Sequence, residues 1–220
     1  MPRFIQRLYP ERIWAFSRSS NSVFLTFDDG PIPEVTPWVL DELKKHNAKA
    51  TFFCIGENVQ KHPEIFRRII AEGHSVGNHT FNHLNGWQTE ISEYVENVLT
   101  CEETFSYVLD TPPFEGGRGD VSNSELLFRP PYGKITSKQA KILQQKGFKI
   151  VMWDTLSYDY DAIISSEKCL QNVLKNIKPG SVIVFHDSLK AEKNLRQILP
   201  EVLQYFSEKG FLLKSIQLPN

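Results

Sequence analysis

The sequence predicts an α/β fold in which strands and helices alternate and the strands pair in parallel, in a sheet open or closed into a barrel. Short apolar runs rich in β-branched and aromatic residues recur along the chain. Segments with apolar residues at helical spacing lie between them. Polar clusters follow directly on several of the runs, as they do where parallel strands end at a ligand-binding face. With 220 residues the chain is long enough to bury a core as one domain without disulfides or a structural metal. No repeat or linker divides it. Residues 1–21 read as an N-terminal extension packed on a single domain, residues 22–220.

In order, Ser22-Val23-Phe24-Leu25-Thr26-Phe27 reads as a buried strand, and Gly30-Pro31 stops it. Val35, Val39, Leu40 and Leu43 place a helix over residues 34–46. Residues 49–55 form a second strand, closed by Gly56. A helix over 63–72 has Pro63 near its start and Gly73 just past its end. Residues 74–78 make a third strand, and a long helix runs over about 90–109. Residues 111–123 hold two prolines and three glycines and read as a surface loop. The alternation then resumes. Strands are expected at 126–128, 148–153, 181–185 and 211–216, helices at 137–146, 166–177 and 195–206, and a polar turn at 154–161.

The net charge of −1 offers no basic excess for nucleic acid and no charged tail. No run of about 18 apolar residues exists, so no transmembrane helix is expected. Pro2, Arg3, Arg7, Pro10, Glu11 and Arg12 interrupt the first 21 residues, which lack the apolar core of a signal peptide; a cytoplasmic location is expected. Cys54, Cys101 and Cys169 are odd in number and widely spaced, as free thiols in a reducing compartment would be.

Chemistry is concentrated at the strand ends. Asp28 and Asp29 end the first strand, and two adjacent carboxylates there need a cation, a hydrogen-bonding partner or water. Taken alone, the pair reads as a solvated Asp-Gly turn, and it is the rest of the chain that overturns this. His79 and His83 are four residues apart, a spacing that puts both rings on one face of a helical turn. Two imidazoles and one carboxylate make a zinc set with an open position, and the other carboxylate is then available as a base. Arg129 is suited to hold that base ionised, and His186 to protonate a leaving group. Together these groups suggest metal-assisted hydrolysis of an acyl compound. Each also has a plainer reading: Arg129 a surface ion pair before two prolines, Trp153 a core residue, His186 a structural histidine.

The motifs Thr26-Phe27-Asp28-Asp29-Gly30, His79-Thr80-Phe81-Asn82-His83, Arg129-Pro130-Pro131-Tyr132-Gly133, Trp153 to Tyr160, and Val184-Phe185-His186 resemble those of the polysaccharide deacetylases. These form carbohydrate esterase family 4, also called the NodB-homology domain. The resemblance runs from about Ser22 to Ile216. It implies a distorted (β/α) barrel of mostly parallel strands and one divalent ion, Zn2+ above all, with Co2+ or another divalent ion able to replace it. The implied substrate is an N-acetylated glycan such as a chitin oligomer or peptidoglycan, and acetate is a product. By the same resemblance Asp28 is the general base, and Asp29, His79 and His83 are the metal ligands. Arg129 steadies the base, the Tyr132 amide is the oxyanion-hole donor, and His186 is the general acid. Two motifs depart from pattern. Asp159-Tyr160 stands where the family has Asp-Trp, so Asp159, ahead of Asp154 and Asp161, is the carboxylate expected beside His186. Val184 replaces a leucine.

Three other readings stay open on sequence: an O-acetyl esterase or small-amide hydrolase on the same fold, a carbohydrate-binding relative without turnover, and a structural protein. His46, His62 and His74 belong to no cluster. Asn78-His79-Thr80 spells a glycosylation sequon by coincidence. Oligomeric state is not legible.

Overall fold

The computed structural model describes residues 3–111, 126–175 and 177–218. All but the first residue of the loop expected at 111–123 lies outside them. The strands are β1 (Ser22–Asp28), β2 (Ala50–Cys54), β3 (Ser75–Asn78), β4 (Leu127–Phe128), β5 (Lys149–Ile150), β6 (Thr155–Leu156), β7 (Val182–His186) and β8 (Leu212–Leu213). They form one sheet in the order β5-β4-β3-β2-β1-β7-β6, with β8 beside β1, and every pair is parallel. The sheet curls into a half-barrel with helices around it.

Strand periodicity decides what faces where. Side chains alternate, so Val23, Leu25 and Phe27 point to the helices, and Phe24, Thr26 and Asp28 to the inner face. On the helical side Phe27 stacks between Phe52 and Phe185, with ring centroids 5.1 and 5.7 Å away. That core is completed by α2 (Thr36–Lys45), α4 (Pro63–Ala71), α5 (Ile91–Asp110), α7 (Ser166–Leu174) and α8 (Glu192–Glu208), while α6 (Ser137–Gln145) packs Ala140 and Leu143 into a second cluster with Phe128 and Ile150. On the inner face Phe53, Leu127, Val151, Val182 and Ile216 form a smaller cluster. The register pairs Thr26 with Val184 and Asp28 with His186, which sets the last two side by side on that face.

The structure adds two short helices to the expected elements, α1 (Arg3–Leu8) and α3 (Gly56–Lys61). Each spans six residues, too few to display a periodic apolar face. The strands expected at 148–153 and 211–216 shrink to β5 and β8. The expected polar turn at 154–161 contains β6, which has only two residues and takes its place from the register with Ile183 and Val184.

The N-terminal segment pairs with the sheet at two points: Ile13 bridges Val151 in parallel and Ala15 bridges Ser181 antiparallel. Gly180 makes the second contact possible. Its φ is +86°, and a Cβ there would lie 2.2 Å from the Phe16 carbonyl oxygen, whose own amide donates to the Gly180 carbonyl at 2.8 Å. Gly180→Ala should therefore lower stability by roughly 1–2 kcal/mol from the left-handed backbone alone, and by more from the clash. A fall in the urea midpoint at unchanged m-value is the expected result, and an unchanged midpoint would refute this account.

Among the described residues no helix is long and apolar enough to cross a membrane. Cys54, Cys101 and Cys169 are all free and buried.

Candidate active site

The ends of five strands bring the sequence motifs to one cavity of about 600 Å³, lined by Asp28, Asp29, His79, His83, Tyr132 and His186 among others. Arg129 and Asp159 are fully buried directly behind that lining.

Asp29 follows β1 with φ +83°, so the chain turns and its side chain leaves the line of the strand. Asn58 Nδ2 donates to the Asp29 carbonyl at 2.8 Å. The next amide, Gly30 N–H, donates to Asp187 Oδ1 at 3.0 Å, and the Thr36 hydroxyl donates to Asp187 Oδ2 at 2.6 Å. His79 and His83 follow β3, but not on a helical turn as their spacing suggests. Thr80 and His83 have φ of +64° and +57°, and the amides of Phe81 and Asn82 donate to Asn97 Oδ1 at 2.8 and 3.1 Å instead of building a helical ladder. The rings converge nonetheless, with centroids 5.1 Å apart.

Asp29 Oδ1 lies 3.6 Å from His79 Nε2 and 3.2 Å from His83 Nε2, and one ligating atom from each residue falls within 4.8 Å of the others. Asp29 Oδ1 is buried and has no hydrogen-bond partner of proper geometry. A buried carboxylate oxygen left bare between two imidazole nitrogens is what a cation would satisfy. Burial works against ionising Asp29, yet His83, His186 and His79 hold its carboxyl well below the usual carboxylate range. Burial pushes His79 down to about 4, against the raising effect of Asp28, which keeps its ring neutral at neutral pH. His79 Nδ1 is 2.7 Å from the Arg129 carbonyl oxygen, an acceptor that puts the proton on Nδ1 and leaves the Nε2 lone pair free. His83 Nδ1 is 3.1 Å from the Tyr132 hydroxyl. The three residues thus fit a divalent cation.

Arg129 is not a surface ion pair. Its Nη1 donates to Asp28 Oδ1 at 2.7 Å and to Thr26 Oγ1 at 2.6 Å, its Nε to the Val151 carbonyl at 3.1 Å, and its Nη2 to the Met152 carbonyl at 3.0 Å. The guanidinium carbon sits 4.0 Å from the centre of the Phe53 ring. Asp28 Oδ1 is thereby occupied, and among the described residues nothing is bonded to Oδ2.

Across the cavity, Asp159 uses both oxygens on His186: Oδ1 lies 2.8 Å from Nδ1, and Oδ2 accepts from the backbone amide at 2.8 Å. The two rival aspartates are engaged elsewhere. Asp154 accepts from the Ser181 hydroxyl at 2.8 Å and the Val182 amide at 2.9 Å, and Asp161 from the Ile163 amide at 3.0 Å. Burial of His186 disfavours its charge, but Asp159, with smaller help from Asp29 and Asp28, outweighs this and raises the ring to about 9. With Nδ1 held by a carboxylate, the cavity-side proton belongs to Nε2.

Three supporting residues escaped the sequence reading. Thr26 left a signal, being polar in an apolar strand and of the same parity as Asp28. Asp187 left only its position next to His186, and Asn58 left none. The sequon asparagine, Asn78, is fully buried and donates to the Val98 carbonyl at 2.8 Å. Trp153 lines the cavity and is partly buried.

A curled parallel sheet with these groups gathered at its strand ends has the architecture of the NodB-like deacetylases. Comparison with known proteins makes the assignment specific. The chain belongs to the polysaccharide deacetylase family, whose model matches residues 17–151 and so includes Asp28, Asp29, His79, His83, Arg129 and Tyr132. It is 41% identical over 177 residues to a peptidoglycan-N-acetylglucosamine deacetylase of Bacillus cereus, covering 80% of this chain and 60% of that protein's length. It is 35% identical over 172 residues to a chitooligosaccharide deacetylase of Azorhizobium caulinodans, covering 78% of this chain and 76% of that one. A solved peptidoglycan N-acetylglucosamine deacetylase superposes with a TM-score of 0.82 at 34% identity, over 95% of this chain and 93% of that one.

Proposed function

We propose that this chain removes acetyl groups from N-acetylated glycans of the chitin-oligomer or peptidoglycan kind, releasing acetate and a free amino sugar. The observation that carries the reading is one cavity with an Asp–His–His donor cluster, flanked by an Arg129-held Asp28 and faced by an Asp159-held His186. Asp29, His79 and His83 are assigned as ligands of one divalent ion, Zn2+ first. Bound there, such an ion supplies Lewis acidity, making water a better nucleophile and an acyl group a better electrophile at neutral pH.

Asp28, fixed by Arg129 through Oδ1, takes a proton from the attacking water on Oδ2. The Tyr132 amide is aimed by a backbone with φ +60° and donates to the acyl oxygen as charge builds on it. His186 hands its Nε2 proton to the departing nitrogen, and Asp159 stabilises the charged ring until then. Trp153, Leu156, Tyr160 and Leu189 give the cavity an apolar wall, against which a bound sugar would displace water and so strengthen these interactions.

Acetate release is the test, measured on N-acetylglucosamine oligomers, peptidoglycan and acetylated xylan, after chelation and after zinc is restored. Metal-dependent release from the N-acetyl substrates is expected. Release from xylan alone would assign an O-acetyl esterase. Glycan binding with no release from any substrate would assign a non-catalytic relative.

The acid role has its own readout. His186→Ala should slow amide substrates much more than activated esters, whose leaving group needs little protonation, with metal content unchanged. Equal losses on both would move His186 from acid to oxyanion binding. A general acid works below its pKa, so the alkaline limb of the rate profile follows the His186 pKa, which Asp159 raises above the ordinary histidine value. Asp29's share of that rise is withdrawn once its carboxylate ligates a cation, which leaves Asp159 as the controlling partner. Asp159→Asn should therefore shift the limb downward, toward the ordinary histidine value of about 6.5. A limb that stays in place would show that Asp159 does not set it.

A further inference from the structure

A surface beside the cavity, reached from it through Tyr132, is not used by the reaction. Trp87 is 65% exposed, although it lies on a loop fastened at several points. The fully buried Gln139 side chain donates from Nε2 to the carbonyls of Gly86 and Thr89, at 2.8 and 3.1 Å, and accepts the Thr136 amide on Oε1 at 2.9 Å. Trp87 N–H is held by Asn85 Oδ1 at 3.1 Å. Gly86 packs so closely on the neighbouring loop that a Cβ there would lie 2.6 Å from the Lys134 carbonyl oxygen. The loop of Trp87 and the loop of Lys134 are thus locked to each other, and the indole is presented to solvent by a rigid support.

Lys134 joins this ring to the cavity. Its Nζ lies 5.5 Å from the centre of the Trp87 ring and 5.8 Å from that of Tyr132. The Tyr132 ring is in turn 4.6 Å from the ring of His83. A continuous shelf therefore runs from the candidate metal cluster over Tyr132 and Lys134 to Trp87. Among the described residues no carboxylate pairs with Lys134. Its positive charge rests on two ring faces, which attract it weakly at an exposed site and leave it able to take an anion.

We propose that Trp87, Lys134 and Tyr132 form a subsite for the sugar adjacent to the one being deacetylated, and that the sugar it accepts carries a carboxylate. This rests on the deacetylase reading and narrows it to a substrate class. The apolar C–H face of a pyranose packs on the exposed indole, since both surfaces gain by leaving water. The Lys134 ammonium meets an acidic substituent on that sugar, as in a glycan whose alternate units bear a lactate ether. A neutral chitin oligomer gains the stacking and lacks the ion pair.

The test uses two glycans of equal length, one of alternating N-acetylglucosamine and N-acetylmuramic acid, the other of N-acetylglucosamine alone. Acetate release and quenching of tryptophan fluorescence are followed on both. Lys134→Gln should raise KM for the acidic glycan about fivefold, the scale of one partly exposed ion pair, with kcat unchanged and the neutral glycan altered less than twofold. Added salt should erase the wild-type preference, because the attraction is screened. Trp87→Ala should raise KM for both glycans. Lys138→Gln, the same charge change at an exposed position, should alter neither.

Equal effects of Lys134→Gln on the two glycans, or none on either, would overturn the proposal. If the wild type releases acetate from neither glycan, the deacetylase reading fails, and fluorescence then decides the subsite separately. A selective fivefold loss of affinity for the acidic glycan in Lys134→Gln would support the subsite, and equal affinities would end it.

Discussion

Asp28→Asn should lower turnover roughly 10²–10⁴-fold, the usual scale for loss of a general base, while metal content stays at the wild-type level. The substitution nearly preserves size and keeps an amide oxygen to accept from Arg129 Nη1, which now bonds Asp28 Oδ1 at 2.7 Å. What disappears is the charge and the second oxygen that takes up a proton. Arg129 is fully buried, so its positive charge then lacks a counter-charge. Breaking a buried pair costs about 3–5 kcal/mol when one partner is removed outright, and less here because the hydrogen bond survives. A lower melting temperature with a native circular-dichroism spectrum should accompany the activity loss. Asp29→Asn is the control: there metal is lost first, and activity returns in part as zinc is raised. Equal metal loss in both variants would show that base and ligand have been assigned the wrong way round.

His79→Ala should abolish metal retention and turnover together. The ring is buried and kept neutral by burial, with Nδ1 tied to the Arg129 carbonyl at 2.7 Å, so its Nε2 is oriented before any ion arrives. Changes to groups that merely orient a ligand already cost about 10–100-fold in metal affinity, and removing the ligand itself should cost more. His83→Ala should be milder in stability, because His83 is only partly buried. Metal analysis after dialysis, beside a melting curve, separates loss of the ion from loss of the fold. Full metal content in His79→Ala would remove His79 from the ligand set.

Much of this architecture was legible in the chain because it depends on local chemistry. β1 is strongly apolar, its stop at Gly30-Pro31 is unambiguous, and the helices with several apolar turns lie close to where their spacing puts them. Short elements were not legible. β6, with two residues, has no pattern to recognise, and α3 follows β2 with almost no apolar face. The histidine pair was found by its spacing, though its conformation was not. Thr80 and His83 adopt left-handed backbone because Asn97, on α5, offers its side-chain oxygen to the intervening amides. A contact of that kind between distant residues leaves no trace in a five-residue motif.

The sequence by itself determined which polar residues stand at the strand ends and in what order, because an apolar strand can end in charge only where charge reaches solvent or a partner. Tertiary structure decided which partner each one has. Asp154, Asp159 and Asp161 are equivalent by composition and nearly so by position. Only the register of β6 on β7 turns both oxygens of Asp159 to His186, while Asp154 is drawn to Ser181 and Val182. Likewise Arg129 reaches Asp28 because β4 and β1 curl toward a common interior, where its remaining donors find the Val151 and Met152 carbonyls. A buried guanidinium must satisfy its donors, and the curvature of the sheet is what brings the acceptors within reach.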